Sequence, residues 1–234
     1  MRAILLAAGM GTRLRPLTDT VPKCLMPIAG RPLLQIWLEI LVAEGVGPIL
    51  INTHYRADQV EAYLAGSKFK DVITLSHEAT LLGTAGTLVA NRKFYCGEDG
   101  FLIHADNYCR PDLRGMVRTH ESRPPECLMT MLTFRTEDPS SCGILETDTR
   151  GVVVGFHEKV QNPPGNLANG AVYLLSRTLI EMLDGELHSA KDFSTEILPR
   201  LVGRIATHET TGVFIDVGTP ASYAKAVASA AREA

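Results

Sequence analysis

A glycine-containing loop directly after the first apolar run is the sequence feature that most constrains the fold. Ala3–Ala7 is predicted to be a buried β-strand, and Gly9-Met10-Gly11 and the cation Arg13 follow it. Glycine lets backbone N–H groups approach a phosphate closely, and successive amides in such a turn form an anion-binding concavity. The pattern therefore predicts an α/β fold with an anion site at the end of its first strand.

Two common phosphate-binding signatures do not fit this loop. The dinucleotide fingerprint needs a third glycine where Leu14 stands, and the P-loop needs Gly-Lys-Ser/Thr, which is absent. On the glycines alone, a plain strand-to-helix turn remains open. A second cation, Lys23, follows closely, and two cations beside a glycine loop suit a triphosphate. Arg can grip phosphate oxygens in pairs, whereas Lys acts as a point charge.

Strands and helices alternate along the first half of the chain and change character in the second. In the first half, strands are predicted at Ala3–Ala7, Ile49–Asn52, Val72–Ser76 and Phe101–His104, and helices between Pro32 and Gly45, at Ala57–Ala65 and at Thr84–Arg92. In the second half, the sequence predicts a hairpin of Gly143–Glu146 and Val152–His157, a strand at Ala171–Leu175 and helices at Phe193–Val202 and Ala221–Ala230.

This alternation predicts one Rossmann-like α/β domain with a mixed, mostly parallel sheet and helices on both faces. The antiparallel additions belong to the second half. We expect a nucleotide-binding half over about residues 1–120 and an acceptor-binding half over about residues 121–234. Trp37 lies in the apolar stripe of its helix, so we expect it in the core rather than as a stacking platform.

Composition excludes several classes of partner. With 45% hydrophobic and 21% charged residues the chain is of globular composition, and its net charge of −3 gives no support to a nucleic-acid or membrane-surface binder. Five cysteines without metal or disulfide spacing suit a reduced, cytoplasmic protein. No stretch approaches the roughly 20 apolar residues of a membrane span. Self-association into a homo-oligomer stays open.

Two aspartates follow apolar strands and are candidate metal ligands. Asp106 comes after Phe101–His104, and Asp216 after Val213–Ile215. In open α/β sheets ligands gather at the carboxyl ends of strands, and Mg²⁺ prefers carboxylate and phosphate oxygens. Taken singly, each aspartate is also explained as a helix cap or turn residue. The histidines have no zinc-binding spacing.

The run from Leu6 to Thr18, with Pro22-Lys23 and Pro27, resembles the signature of the sugar-1-phosphate nucleotidyltransferases. The resemblance covers nearly the whole chain and is closest in type to short mannose- or manno-heptose-1-phosphate guanylyltransferases. It continues through Leu82–Gly86, Asp106, Glu158-Lys159, Asn169-Gly170 and Asp216–Pro220. Two positions depart from the family pattern: Cys24 replaces the usual proline after the lysine, and Ala105 the usual glycine before the aspartate. The C-terminal β-helix domain of many longer relatives is not expected.

The resemblance implies transfer of a nucleoside monophosphate from an NTP to a sugar 1-phosphate, and it assigns roles by position. Arg13 and Lys23 are the implied catalytic residues, and Asp106 and Asp216 the implied Mg²⁺ ligands. The implied nucleotide-binding residues are Leu6, Ala8, Gly9, Gly11, Thr12, Glu78, Gly83 and Thr84. The implied sugar-phosphate-binding residues are Gly143, Glu158, Lys159 and Asn169.

Glu78 occupies the position that the resemblance places against the nucleobase. A carboxylate accepts from both N1–H and the 2-amino group of guanine, whereas the glutamine common in uridylyl- and thymidylyltransferases pairs with uracil or thymine. Glu78 therefore favours GTP, and the resemblance to short guanylyltransferases implies a manno-configured sugar 1-phosphate. Alternatives are a uridylyl- or thymidylyltransferase, a non-catalytic nucleotide-sugar sensor and, for Glu78, an exposed loop carboxylate without base contact.

Overall fold

The computed structural model describes residues 1–232, which form two compact units. The first comprises residues 1–81, 103–110 and those from 212 onward, and the second residues 82–102 and 111–211. The chain passes between the units several times, so they do not coincide with a division near residue 120. That division was drawn by function, into a nucleotide half and an acceptor half, and it stays a prediction.

The strands are β1 (Arg2–Leu6), β2 (Pro27–Ile28), β3 (Arg31–Pro32), β4 (Ile49–Thr53), β5 (Ile73–His77), β6 (Gly100–His104), β7 (Asn107–Cys109), β8 (Met129–Arg135), β9 (Gly143–Thr147), β10 (Val153–Glu158), β11 (Leu167–Leu175), β12 (Ile205–Glu209) and β13 (Phe214–Asp216). The α-helices are α1 (Leu33–Ala43), α2 (Ala57–Ala65), α3 (Thr84–Asn91), α4 (Leu113–Glu121), α5 (Arg177–Met182) and α6 (Pro220–Arg232).

The first unit is built on parallel strands. Strand β4 lies between β1 and β5, with Ala3 opposite Ile49 and Ile49 opposite Ile73. All five residues of β4 are buried, as expected for the centre of a parallel sheet. The end of β6 lies beside β1. The carboxyl ends of these strands therefore share one edge, where the glycine loop leaves β1 and Asp106 follows β6.

Helix α1 confirms the predicted amphipathic segment between Pro32 and Gly45. Trp37 on this helix is only 1% exposed, and its indole Nε1 donates a 2.9 Å hydrogen bond to the carbonyl of Asn107. The expectation that Trp37 is a core residue is confirmed. The bond also ties α1 to the chain directly after Asp106.

The second unit carries the antiparallel additions. Strands β9 and β10 form the predicted hairpin, and β11 pairs antiparallel with β8 and β9. Strand β12 adds to β8 in parallel. The predicted α/β class, with a mixed sheet and antiparallel additions, is confirmed. None of the helices within residues 1–232 is long and apolar enough to cross a membrane.

The helix predicted over Phe193–Val202 is present, but it is not a continuous α-helix. Phe193–Ile197 form a single π-type turn, and Leu198–Leu201 a 3-10 turn. Pro199 explains the break, because proline has no N–H for an α-helical hydrogen bond and its ring clashes with the preceding turn. The strand predicted at Ala171–Leu175 also begins earlier, at Leu167.

Candidate active site

The glycine loop of the first unit depends on the conformation of Gly11. This residue has φ +61°, and a Cβ atom added there would lie 2.9 Å from Thr18 Cγ2 and 3.2 Å from Lys23 Cβ. The fully buried Thr18 also donates its hydroxyl proton to the Gly11 carbonyl over 2.7 Å. Only glycine fits this turn without strain. Of the other predicted loop residues, Leu6 ends β1, Ala8 is buried, and Gly9 and Thr12 are exposed.

A buried amide fixes the end of β1. Asn52 Oδ1 accepts from the Ala7 N–H over 2.7 Å, and its Nδ2 donates to Glu78 Oε1 over 2.9 Å. Asn52 and Glu78 are each 3% exposed, so the alternative of an exposed loop carboxylate at Glu78 is wrong. Sequence reasoning missed Asn52, although a polar residue directly after the apolar run Ile49–Ile51 is the signal that could have found it.

Lys23 and both predicted metal ligands come together in the first unit. The Lys23 ammonium lies 2.8 Å from Asp106 Oδ2 and 3.9 Å from Asp216 Oδ1. The lysine side chain is 9% exposed, whereas the two aspartate side chains are 41% and 49% exposed. Strand β13 pairs with β7 so that Asp216 lies opposite Asn107, and the Val217 N–H donates to the Asp106 carbonyl over 3.2 Å. This pairing holds the two carboxylates side by side.

Neighbouring charges determine the protonation of Asp106. Partial removal from water raises the pKa of its carboxyl, but the charges of Lys23 and His104 and the hydrogen bond from Lys23 outweigh this effect, so the pKa lies below its usual value. Asp106 is therefore ionised at neutral pH. Burial raises the pKa of the Cys24 thiol to about 12, so the residue beside the lysine is no thiolate nucleophile.

Arg13 lies beside the Asp216 carboxylate. A Cβ atom added at Gly218 would lie 3.0 Å from Asp216 Oδ2 and 3.1 Å from Arg13 Nη2, so both groups pack against this glycine. Gly218 belongs to the segment Asp216-Val217-Gly218-Thr219-Pro220 that the sequence singled out. Its role here is to leave room for a cation and an anion at one place.

The first unit thus contains two carboxylates that converge on one cation. Within residues 1–232, no three His, Cys, Asp or Glu side chains are grouped to hold a metal ion. A two-carboxylate set fits Mg²⁺, which proteins often hold through one or two carboxylates while water and substrate phosphates complete its coordination. The donor set of Asp106 and Asp216 is therefore suited to this cation.

In the second unit, Gly143 and Glu158 lie directly opposite each other across the β9–β10 hairpin. A Cβ atom at Gly143 would lie 2.6 Å from Glu158 Oε2, so the glycine leaves the space that the glutamate side chain uses. Lys159 follows with φ +50°, an unfavourable conformation for a residue with a side chain. Its ammonium lies 3.2 Å from Glu158 Oε1. Such a strained backbone is a frequent property of functional residues.

Asn169 stabilises an irregularity in strand β11. The pairing of β11 with β8 shifts between Asn169 and Tyr173, where Ala171 has φ +51°. Asn169 Oδ1 accepts from the Ala171 N–H over 2.9 Å, and its Nδ2 donates to the hydroxyl of the buried Tyr173 over 2.8 Å. These bonds use part of the amide's hydrogen-bonding capacity, which is two donors and two acceptor lone pairs.

Gly83 and Thr84 form a tight turn against Lys191. Gly83 has φ +82°, and a Cβ atom there would overlap the Lys191 carbonyl oxygen at 2.4 Å. The same oxygen accepts from the Ala85 N–H over 3.0 Å, and Thr84 Oγ1 accepts from the Phe193 N–H over 2.8 Å. The sequence predicted a helix that begins at Thr84, as α3 does, but not the contact with Lys191.

Comparison with known proteins gives consistent matches. The family model described as nucleotidyl transferase matches residues 2–233. The chain is 31% identical over 230 residues to mannose-1-phosphate guanyltransferase beta-A of Xenopus laevis, covering 95% of this chain and 62% of that protein. It is 30% identical over 228 residues to the mannose-1-phosphate guanylyltransferase catalytic subunit beta of Drosophila pseudoobscura pseudoobscura, covering 95% of this chain and 60% of that protein. The chain thus spans about 60% of the length of the curated relatives it matches.

Solved structures agree with the sequence matches. The structure of HddC from Yersinia pseudotuberculosis, complexed with GMP-PN, is similar with a TM-score of 0.82 and 26% sequence identity. The match covers 97% of this chain and 98% of that one.

Substitution of the two loop glycines tests the geometry of the turn. Because of its positive φ and the contacts with Thr18 and Lys23, Gly11→Ala is expected to lower the free energy of unfolding by about 1–3 kcal/mol. Gly9→Ala is the matched control, because a Cβ atom at Gly9 meets nothing within 4 Å and φ there is not positive. Urea denaturation of both variants gives the comparison. Equal stability of the two variants would contradict the described turn.

Proposed function

The chain belongs to the nucleotidyl transferase family, and on that premise we propose that it transfers a nucleoside monophosphate from an NTP to a sugar 1-phosphate, with release of pyrophosphate. The observation that carries this proposal is the convergence of Lys23, Asp106 and Asp216, with Arg13 beside Asp216. These are the groups that a reaction between two phosphate esters needs: cations for phosphate oxygens and carboxylates for a divalent metal ion.

The chemistry requires no general base. The second pKa of a phosphate monoester is about 6, so a sugar 1-phosphate is already largely dianionic at neutral pH. One of its oxygens attacks the α-phosphorus of the NTP in line with the departing pyrophosphate. Both substrates are polyanions, so the barrier is largely electrostatic, and positioning and cations provide most of the catalysis. The buried, protonated Cys24 thiol fits a mechanism without a covalent enzyme intermediate.

In this mechanism the first unit binds the NTP. Backbone amides of the glycine loop, in the conformation that Gly11 permits, donate to the phosphates. Arg13 and Lys23 stabilise the α-phosphoryl oxygens and the leaving pyrophosphate. Asp106 and Asp216 would hold Mg²⁺, and the bound ion would neutralise the remaining phosphate charge.

The second unit binds the acceptor. The Lys159 ammonium binds the phosphate of the sugar 1-phosphate, and Glu158 and Asn169 form hydrogen bonds with the sugar hydroxyls. We propose a manno-configured sugar 1-phosphate, because the relatives from Xenopus laevis and Drosophila pseudoobscura pseudoobscura are named mannose-1-phosphate guanyltransferases. We place this reaction in the cytoplasm, because NTPs are abundant there and the five free thiols would stay reduced there.

Three observations support GTP as the donor. The curated relatives are named as guanylyltransferases, HddC is complexed with the guanine nucleotide analogue GMP-PN, and Glu78 is a carboxylate. The Ala7 N–H bonds to Asn52 Oδ1, so Asn52 must turn its NH₂ group toward Glu78, and Glu78 Oε1 can only accept. A carboxylate that only accepts matches the two adjacent donors of guanine. A uridylyl- or thymidylyltransferase is the alternative.

A pyrophosphate-release assay tests the proposed reaction. With GTP, mannose 1-phosphate and Mg²⁺ the wild type should release pyrophosphate, and excess chelator should abolish release. Lys23→Ala is expected to lower kcat by about two orders of magnitude, as loss of a preorganised charge contact does. The exposed Lys225 on helix α6 gives the control variant Lys225→Ala. Near-normal turnover of Lys23→Ala, or full activity in excess chelator, would contradict the proposed reaction.

Base selection is tested by competition among GTP, UTP, dTTP and CTP. The wild type is expected to prefer GTP. In Glu78→Gln, the amide oxygen must face Asn52, so Oε2 is replaced by an NH₂ group that only donates. The preference for GTP should then fall by roughly tenfold or more, because one donor of guanine loses its acceptor. Glu121→Gln on the exposed face of α4 is the control. A wild type that prefers a pyrimidine triphosphate refutes the role given to Glu78.

Lys159 is tested by separating the two substrates kinetically. Lys159→Ala is expected to raise KM for the sugar 1-phosphate by roughly tenfold, the effect of losing one charge-assisted hydrogen bond, while KM for the NTP stays unchanged. Lys93→Ala, at another exposed lysine of the second unit, controls for a general loss of surface charge. An equal rise of both KM values would show that Lys159 does not act on the acceptor.

A further inference from the structure

The ammonium of Lys23 lies between the two carboxylates that are suited to a divalent cation. It is 2.8 Å from Asp106 Oδ2 and 3.9 Å from Asp216 Oδ1, and the side chain that carries it is 9% exposed. Two carboxylates within 4 Å of the same ammonium are close enough to repel each other when both are charged, unless a cation lies between them. Lys23 therefore provides within the chain the charge compensation that a metal ion would otherwise provide.

The stem of Lys23 starts beside the glycine loop. Its Cβ atom lies 3.2 Å from the position that a Cβ atom of Gly11 would take. The lysine side chain is a flexible four-carbon stem that ends in a compact charge. From this starting point, rotation about side-chain bonds can bring the ammonium either to Asp106 or to phosphates bound at the loop, and the backbone need not move.

Resting on the function proposed above, we propose that Lys23 and the divalent cation compete for Asp106 and Asp216. In the nucleotide-free enzyme, the ammonium neutralises both carboxylates, so the cation binds weakly. When the phosphates of the NTP bind at the glycine loop, they draw the ammonium away and leave the carboxylates to the metal ion. Binding of the NTP and binding of the metal ion then strengthen each other by the same factor. Lys23 is thus a switch for metal binding as well as a phosphate ligand.

The alternative is an ammonium that stays in place and leaves room for the cation. The two models differ in how strongly metal alone binds when Lys23 is neutral. If Lys23 competes, its removal must increase metal affinity, because the carboxylates lose their internal cation. If Lys23 does not compete, its removal changes the affinity little.

Binding of Mn²⁺ without nucleotide, followed by the EPR signal of the free ion, distinguishes these models. Lys23→Met is expected to bind Mn²⁺ at least about tenfold more tightly than the wild type, whereas Lys23→Arg, which keeps the charge, should bind it as weakly as the wild type does. In Lys23→Met combined with Asp216→Asn, the gain should disappear. Lys23→Met affinity equal to that of the wild type, or a gain that survives Asp216→Asn, overturns the proposal.

Loss of Lys23 removes the cation that contacts both carboxylates, so stability is checked by circular dichroism and thermal unfolding. If Lys23→Met does not fold, Lys23→Gln, which is neutral but can donate to a carboxylate, takes its place with the same expected gain. Mn²⁺ should also raise the Tm of the neutral variant more than that of the wild type, because ligand binding stabilises the folded state in proportion to affinity. These measurements contain no NTP or sugar, so failure of the transferase reaction and failure of the competition are separate results.

Discussion

The contact of Lys23 with Asp106 and Asp216 is the interaction on which the candidate active site depends. Asp106 follows a strand of the parallel sheet, whereas Asp216 ends a short strand more than one hundred residues later, and only the pairing of β13 with β7 brings them together. Like charges placed side by side destabilise a fold unless they are compensated. Lys23 compensates the two carboxylates, so they can lie side by side when no substrate is bound.

Buried hydrogen bonds transmit the rigidity of the sheet to the glycine loop. Thr18 holds the Gly11 carbonyl, and Asn52 holds the Ala7 N–H at the end of β1. Both side chains are buried, and breaking either bond would leave a polar group unpaired at a cost of about 1–3 kcal/mol. The loop thus has a defined shape before any phosphate binds, which is the preorganisation that electrostatic catalysis requires.

Local sequence signals were sufficient for some features and not for others. The fold class, helix α2 and the β9–β10 hairpin follow from periodicity and turn residues, because these patterns reflect burial within a few residues. The contact of Lys23 with Asp216 could not be predicted from spacing, since it depends on a register between distant strands. The role of Asn52 was missed because its partners, Ala7 and Glu78, lie far from it along the chain. The role of Lys191 was missed because it acts through its backbone carbonyl, a group that every residue has. The segment Phe193–Val202 is helical as expected, but Pro199, which lacks an N–H group, explains why it is a π-helix followed by a 3-10 helix and not one α-helix.

The burial of Cys24 has a consequence for how this protein withstands its chemical surroundings. Oxidants and alkylating agents attack the thiolate form of cysteine. The Cys24 thiol stays protonated and inaccessible, so almost no thiolate is present for them to attack. Cys24, next to the candidate catalytic lysine, thus acts as a small apolar side chain in the core. Damage by peroxide is expected to begin elsewhere, at the solvent-facing Cys96, and to leave the packing under Lys23 intact.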